Sequence, residues 1–478
     1  MTAHLDGVNL ELTFEPAIVS IIKRVSGVAN RHSVPCFLVG GCVRDAMLRR
    51  PVLDLDVLID SGNQAGMTAE QFADAASQAL DGSRPVCFDR FGTFHFVVRG
   101  EANPTELEVV EAALDVSDGF EIGDKSDVFR RDFTVNTLLW GLNGGNLGRV
   151  YDLTGRGVED IRRRILRCPK QPAATLADDP IRMLRAVRLS CTLGFEIDAS
   201  AARFIRENPT LVNQAAVERI RKELELILLS DRPVHGFETL HELNLLGVIL
   251  PEIEALGGVL QDVRFHSQDV LHHTFSVLSH VEQKDHAMLL AALFHDAGKR
   301  GAKAQKEERV VFYGHEHIGA SLASERLSAL RFPNRLVKEV GELVRNHMIN
   351  YSGEWTDAAI RRLINRLGPS LPKQLDLYEA DIRALRDSVE LLDAAHELRK
   401  RIETIDEREQ VAQVESPLNG HEICELLGIE PGRIVGEYKA KLLDAVLTGE
   451  VANDKGAASK YLLKLRKADD SSVGDPRR

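Results

Sequence analysis

Asp54 and Asp56 stand two apart in the run DLDVLID (Asp54–Asp60). Strand alternation sends both side chains to one face, about 6.6 Å apart along the chain. Two carboxylates on one face repel each other unless a cation lies between them. Hard oxygen ligands suit Mg2+, with phosphate and water completing the shell. Val57, Leu58 and Ile59 continue the run as a buried strand, which argues against a merely solvated edge. Upstream, Gly40 and Gly41 join an apolar run, CFLVG (Cys36–Gly40), to a helical run, CVRDAMLRR. Glycines at such a junction let backbone N–H groups approach an anion, and a helix N-terminus adds about half a positive charge. Arg44, one turn into that helix, can reach a phosphate held by the loop. Glu108, on a later strand, can supply a third carboxylate. This set suits two-metal phosphoryl transfer.

Arg182, Arg185 and Arg188 recur every three residues beside an apolar stripe of Ile181, Leu184 and Val187. Like charges at this spacing cost about 0.2–0.5 kcal/mol per pair. A bound polyanion would turn the repulsion into attraction; a solvated basic face is the plainer alternative. Asp179 precedes Pro180 at an expected helix start, where an N-cap would be unremarkable. Arg162–Arg164, Arg167 and Lys170 form a basic cluster suited to an RNA backbone. Nine of the 16 histidines fall between His266 and His347.

These groups need elements to position them. The 478-residue chain has a length suited to about three domains. Its first half alternates short β-rich runs with helices. FGTFHFVV (Phe91–Val98) and ELEVVEA (Glu106–Ala112) read as an antiparallel pair. From about Val158 strand signals nearly vanish, and amphipathic helices continue, broken at Pro180, Pro233, Pro251 and Pro333. The last residues, ADDSSVGDPRR, look frayed. Composition is that of a soluble globular protein, with no run for a membrane helix and no secretory leader expected. Six scattered cysteines fit a reducing compartment, so a cytoplasmic location is expected. A net charge of −12 argues against wholesale wrapping of nucleic acid but allows a local basic groove.

LVGGCVRDAMLRRPVLDLDVLI closely resembles the class II RNA nucleotidyltransferases, which comprise tRNA CCA-adding enzymes and bacterial poly(A) polymerases. The likeness continues through FGT (Phe91–Thr93), RRDFTVNTLLW (Arg130–Trp140), YDLTGRGVEDIRRRILR (Tyr151–Arg167) and DDPIRMLRAVRLSCTLGFEI (Asp178–Ile197). It implies an α+β fold: a DNA polymerase beta-like head followed by an all-α neck, body and HD domain. The expected division is head 1–155, neck and body 156–255, HD domain 256–400 and helical tail 401–478. On this resemblance Gly40, Gly41 and Arg44 contact the triphosphate, Arg131 reaches the nucleotide, and Asp54, Asp56 and Glu108 are catalytic. Arg185 and Arg188 join the nucleotide-binding set. One departure is Ala113, where the family usually has Arg shortly after the third carboxylate.

In that family an Asp-x-x-Arg pair, here Asp179 and Arg182, reads the incoming base. Cytosine and adenine each offer a ring acceptor beside an amino donor, matching Arg and Asp. Uracil and guanine present the opposite polarity, and unpaired buried groups can reject a mismatch by roughly 10⁴-fold.

The runs HHT, FHDAGK, GHEHIG, NHM and EADIRAL resemble an HD-type metal phosphohydrolase. His273, His295, Asp296 and Asp381 match its ligands and suit a divalent transition metal; His315 and His347 could hold a second ion. Ser416–Leu447 looks like the family's tail.

The leading expectation is addition of C and A to the tRNA 3′ end from CTP and ATP. Addition of CC alone competes with it, because the segment after Glu108 looks shorter than in full CCA-adding relatives. Poly(A) polymerase, a phosphohydrolase with an RNA-binding head and a pure RNA-binding module are further alternatives.

Overall fold

The computed structural model describes residues 8–9, 12–52, 54–60, 67–88, 93–103, 106–118, 127–260, 269–306, 309–386, 388–409 and 414–472. Two compact units divide the chain, Met1–Val248 and Ile249–Arg478.

The first unit is built on eight strands: β1 (Val8–Asn9), β2 (Cys36–Val39), β3 (Asp54–Ile59), β4 (Val86–Phe88), β5 (Thr93–Asn103), β6 (Glu106–Asp118), β7 (Leu139–Gly141) and β8 (Arg149–Tyr151). Their order is β1-β8-β7-β2-β3-β6-β5-β4. The β3–β6 pairing is parallel, whereas β2–β3 and β5–β6 are antiparallel. Every residue of β2 is buried, as its unbroken apolar run requires.

Helix α1 (Pro16–Arg31) buries Ile18, Ile21, Ile22, Val25 and Val28, the spacing of one helical face. It packs with β5 and with α3 (Ala69–Leu80), whose start is fixed by a Thr68–Gln71 capping box. Between them in sequence, α2 (Gly41–Met47) leaves the Gly40 turn.

Beyond the sheet lie α4 (Gly157–Arg163), α5 (Pro172–Asp178), α6 (Arg182–Leu193), α7 (Ala199–Glu207) and α8 (Val217–Leu228). Helix α6 packs on α8 and buries Leu184, Ala186, Val187 and Cys191. Pro180 separates α5 from α6, and Pro233 opens the next helix. Strands do not vanish entirely after Val158. Ile165–Leu166 pairs with Glu196–Ile197, and Ala304–Lys306 pairs with Arg309–Val311.

The second unit is helical apart from that hairpin among the described residues. Its central helix, His286–Phe294, is apolar all round and buried from Ala287 to Phe294. The helices Val270–His280 and His286–Phe294 are capped by Asp269 and Asp285, which accept from His272 N and Met288 N. Two further apolar clusters follow, one around Ile360, Ile364 and Leu398 and one around Ile423, Leu442 and Leu462. A helix runs from Lys455 to Ser472 and takes in the start of the run expected to fray; residues 473–478 lie outside the described residues. No helix among the described residues is long and apolar enough to cross a membrane.

Candidate active site and metal centre

Gly40 has φ +88° and starts α2. A Cβ there would lie 2.5 Å from Arg131 Nη1 and 2.9 Å from Asp56 Oδ2. The left-handed backbone strains any side chain at this position, and a Cβ would also displace the tips of Arg131 and Asp56. Asp54 and Asp56 project from β3 as alternation requires, and Arg131 Nη1 stands 3.7 Å from Asp56 Oδ2. Arg44 is buried, with its guanidinium on Asp45 at 2.7 and 2.9 Å and on Asn136 Oδ1.

A chain of polar contacts continues from there. Asn136 Nδ2 donates to Asp132 Oδ1 at 2.9 Å, and Arg185 Nε donates to Asp132 Oδ2 at 2.8 Å. Arg188 Nε donates to Glu223 at 2.7 Å. Burial pushes the Asp132 carboxyl up, but the Arg185 charge and bonds from Asn136, Arg185 and Phe133 N overcome it and bring it down to about 2.

Gly41, Arg44, Asp54, Asp56, Arg131, Asp179, Arg182, Arg185, Arg188 and Arg219 all line one cavity of about 570 Å³. Most of the expected head residues therefore converge. Several expectations need correction. The arginine ladder is not a merely solvated face: Asp132 and Glu223 offset the charges of Arg185 and Arg188. Within the basic cluster, Arg167 is likewise held by Asp160 and Asp198. Asp179 is not the N-cap of α6; that position is Ile181, and Asp179 is an extended residue closing α5. Its carboxylate faces Arg219, at 3.0 and 2.8 Å. Arg182 donates to Thr175 O at 2.7 Å and to Arg130 O.

Glu108 lies on β6, but the β3 pairing begins five residues later. Asp54 is the register partner of Ala113 and Asp56 of Asp115. At about 3.3 Å per residue, Glu108 is roughly 16 Å from Ala113 along the strand. The parallel register makes Asp115, rather than Glu108, the carboxylate residue beside the pair. The segment that follows Glu108 begins as strand, since β6 runs to Asp118. Phe91 and Gly92 of the FGT run lie outside the described residues, as do residues 119–126.

The second unit holds a denser cluster. His273, His295, Asp296, His315 and His347 are all buried. Two trios, His273/His295/Asp296 and Asp296/His315/His347, each bring their ligand atoms within 4.8 Å of one another. Asp296 belongs to both. Its Oδ2 lies 3.2 Å from His295 Nε2, and its Oδ1 lies 3.5 Å from His315 Nε2 and 3.9 Å from His347 Nε2. Asp381 Oδ1 completes the first trio, 2.9 Å from His273 Nε2 and 3.8 Å from His295 Nε2.

The ring orientation has a common cause. His295, His315 and His347 place Nδ1 at 2.8, 2.7 and 2.7 Å from the carbonyls of Ala292, Phe312 and Val344. With Nδ1–H donating outward, each Nε2 is left as a ligand. His295 Nε2 is buried and makes no hydrogen bond. Burial and the charge of His295 push His347 down to about 4, which keeps it a neutral imidazole. Despite burial, the His295 charge and Lys299 hold Asp296 well below the carboxylate range. Lys299 Nζ, unmarked in the sequence reading, lies 2.7 Å from Asp296 Oδ2. An orphaned imidazole nitrogen, three rings whose Nδ1 is taken by a backbone carbonyl and carboxylates aimed at the Nε2 atoms form a donor set that fits a divalent metal.

The family model for a poly A polymerase head domain matches residues 36–167. A probable RNA- and SrmB-binding site of polymerase A matches 194–256, and an HD domain matches 263–414. A CC-adding tRNA nucleotidyltransferase of Thermus thermophilus is 34% identical over 90% of this chain and 93% of its own. An A-adding tRNA nucleotidyltransferase of Deinococcus radiodurans is 34% identical over 70% of this chain and 77% of its own. The CCA-adding enzyme of Bacillus stearothermophilus, solved with CTP, shares the fold with a TM-score of 0.63 at 21% identity, over 96% of this chain and 100% of its own. The chain belongs to the tRNA nucleotidyltransferase family, with a poly(A)-polymerase-type head and an HD domain.

Proposed function

We propose that this chain adds C and A to the 3′ end of tRNA from CTP and ATP, without a nucleic-acid template. One observation carries the reading: a single cavity is lined by the glycine loop, the β3 carboxylates and the Asp179/Arg182 pair. Asp54 and Asp56 would hold Mg2+, which supplies charge neutralisation at the attacking and leaving oxygens. Gly41 and Arg44 take the triphosphate. Arg185 and Arg188, fixed by Asp132 and Glu223, present further N–H donors at the wall. The tRNA 3′-OH attacks the α-phosphate in line, and pyrophosphate leaves without a covalent enzyme intermediate. Asp179 and Arg182 select a base with an amino group beside a ring acceptor.

The test uses tRNA transcripts ending before the CCA tail, with each nucleotide alone and in combination, and sizes the product. CTP alone should add two nucleotides, and CTP with ATP three. A stop at two with both present assigns CC addition only. A long ladder from ATP alone assigns poly(A) synthesis. No extension at all overturns the reading.

The histidine centre supports a second, separate activity, metal-dependent phosphohydrolysis by the HD domain with a divalent transition metal. The six cysteines are free and four are buried, which suits the cytoplasm.

A further inference from the structure

Helix α8 carries two opposite charges one turn apart. Glu223 holds Arg188 at 2.7 Å and stands 4.0 Å from Arg185. Arg219 donates Nη1 to Asp179 Oδ1 at 3.0 Å and Nη2 to Oδ2 at 2.8 Å. Arg219 and Asp179 both line the cavity. Their side chains are 52% and 28% exposed. An ion pair this open contributes little to folding.

Its geometry matters more. Asp179 has φ −143° and ψ 94°, between two helices, so no helix fixes its side chain. The Arg182 guanidinium gives one N–H each to Thr175 O and Arg130 O and stands 3.4 Å from Asp178 Oδ2, which leaves it further donors. Among the described contacts, Arg182 meets Asp179 only through its backbone N–H, at 3.0 Å from Asp179 O. The Arg219 fork is planar and takes both carboxylate oxygens at once, which a lysine cannot do.

We propose that Arg219 is a positioning residue for base choice: it locks the plane of the Asp179 carboxylate at the cavity wall. The inference rests on the reading of Asp179 and Arg182 as the base-facing pair. After accepting from Arg219, each carboxylate oxygen keeps a lone pair. That lone pair can take the exocyclic N–H of cytosine or adenine. Uracil and guanine put an oxygen there, and a locked carboxylate cannot turn away from it. An unlocked one rotates and tolerates the mismatch.

The test compares kcat/KM for CTP, ATP, UTP and GTP on a CCA-less tRNA, using full-length Arg219→Lys and Arg219→Met. The CTP-to-UTP preference should fall at least about tenfold in both variants, because the discrimination depends on a fixed acceptor. Inhibition by tripolyphosphate and the melting temperature should not move, which separates lost aim from lost fold. Arg219→Met combined with Asp179→Asn should lose no more preference than Asp179→Asn alone, since the two act as one unit. A smaller fall in either variant, restoration by lysine, or additive losses in the double variant overturns the proposal. If Asp179→Asn itself leaves the preference unchanged, the base-facing reading fails and this inference fails with it.

Discussion

The cleft of the first unit and the centre of the second both gather carboxylates, but in opposite solvent environments. Asp54 is exposed and the Asp56 side chain is 40% exposed. Asp296 and its histidine partners are at most 4% exposed. In the cleft, arginines do the neutralising: Arg131 faces Asp56, and Arg185 holds Asp132. In the buried centre, imidazole nitrogens converge with one of them left unbonded. An open pair of carboxylates can exchange a cation with each incoming triphosphate. A buried, pre-oriented set would release an ion more slowly, since the residues of both trios are already buried. The contrast predicts a metal that arrives with substrate in the cleft and one that stays bound in the histidine centre.

The largest effect that could break this contrast lies in the cleft. Asp56→Asn should lower nucleotide addition by at least about 10²-fold, since an isosteric amide loses the charge aimed at the reacting phosphate. Melting and the metal content of the histidine centre should stay as they are. Residual addition above about one part in a hundred, with normal melting, removes Asp56 from the chemistry.

The second effect is on metal retention. Asp296→Asn should weaken metal binding in nucleotide-free protein by at least about 10²-fold, because the shared ligand serves both trios. Elemental analysis after gel filtration measures it. Nucleotide addition should persist, because the β3 carboxylates belong to a separate set. Loss of addition in well-folded protein would mean that the two centres are not independent.

The smallest effect concerns a buried carboxylate of the cleft that is held by arginine. The Asp132 carboxyl is depressed from 3.8 to about 2 in the folded chain. A depressed carboxyl stabilises the fold above its unfolded pKa, and that contribution is lost as pH falls through the folded value. Asp132→Asn should therefore destabilise by about 2 kcal/mol at pH ~7, and the gap should shrink between about pH 4 and pH 2. Denaturant unfolding at each pH measures it. A gap that widens in acid would mean that Arg185 does not hold Asp132 ionised.

Local rules made much of this legible. Asp54 and Asp56 follow from strand alternation, and Gly40 from the junction of an apolar run with a helix. His295 and Asp296 stand out within an apolar segment and in a resemblance to known metal domains. What stayed hidden lies across elements. Arg219 reaches Asp179 over 40 residues, Arg185 reaches Asp132 over 53, and Arg188 reaches Glu223 over 35. No periodicity encodes those partners, so the ladder reads as unpaired charge. The register of Glu108 was hidden for a related reason: a parallel pairing is set by how β6 meets β3, and nothing in either strand alone states it.

His295, His315 and His347 each lean on the carbonyl three residues earlier in the chain. That support is covalently close and needs no distant element to arrive. The choice between the two imidazole tautomers is thus made by each histidine's own turn of backbone, as soon as that turn forms. Folding of the second unit then only has to bring three ready-made donors together. A substitution far from them can spoil their convergence, but it does not alter which nitrogen each ring offers.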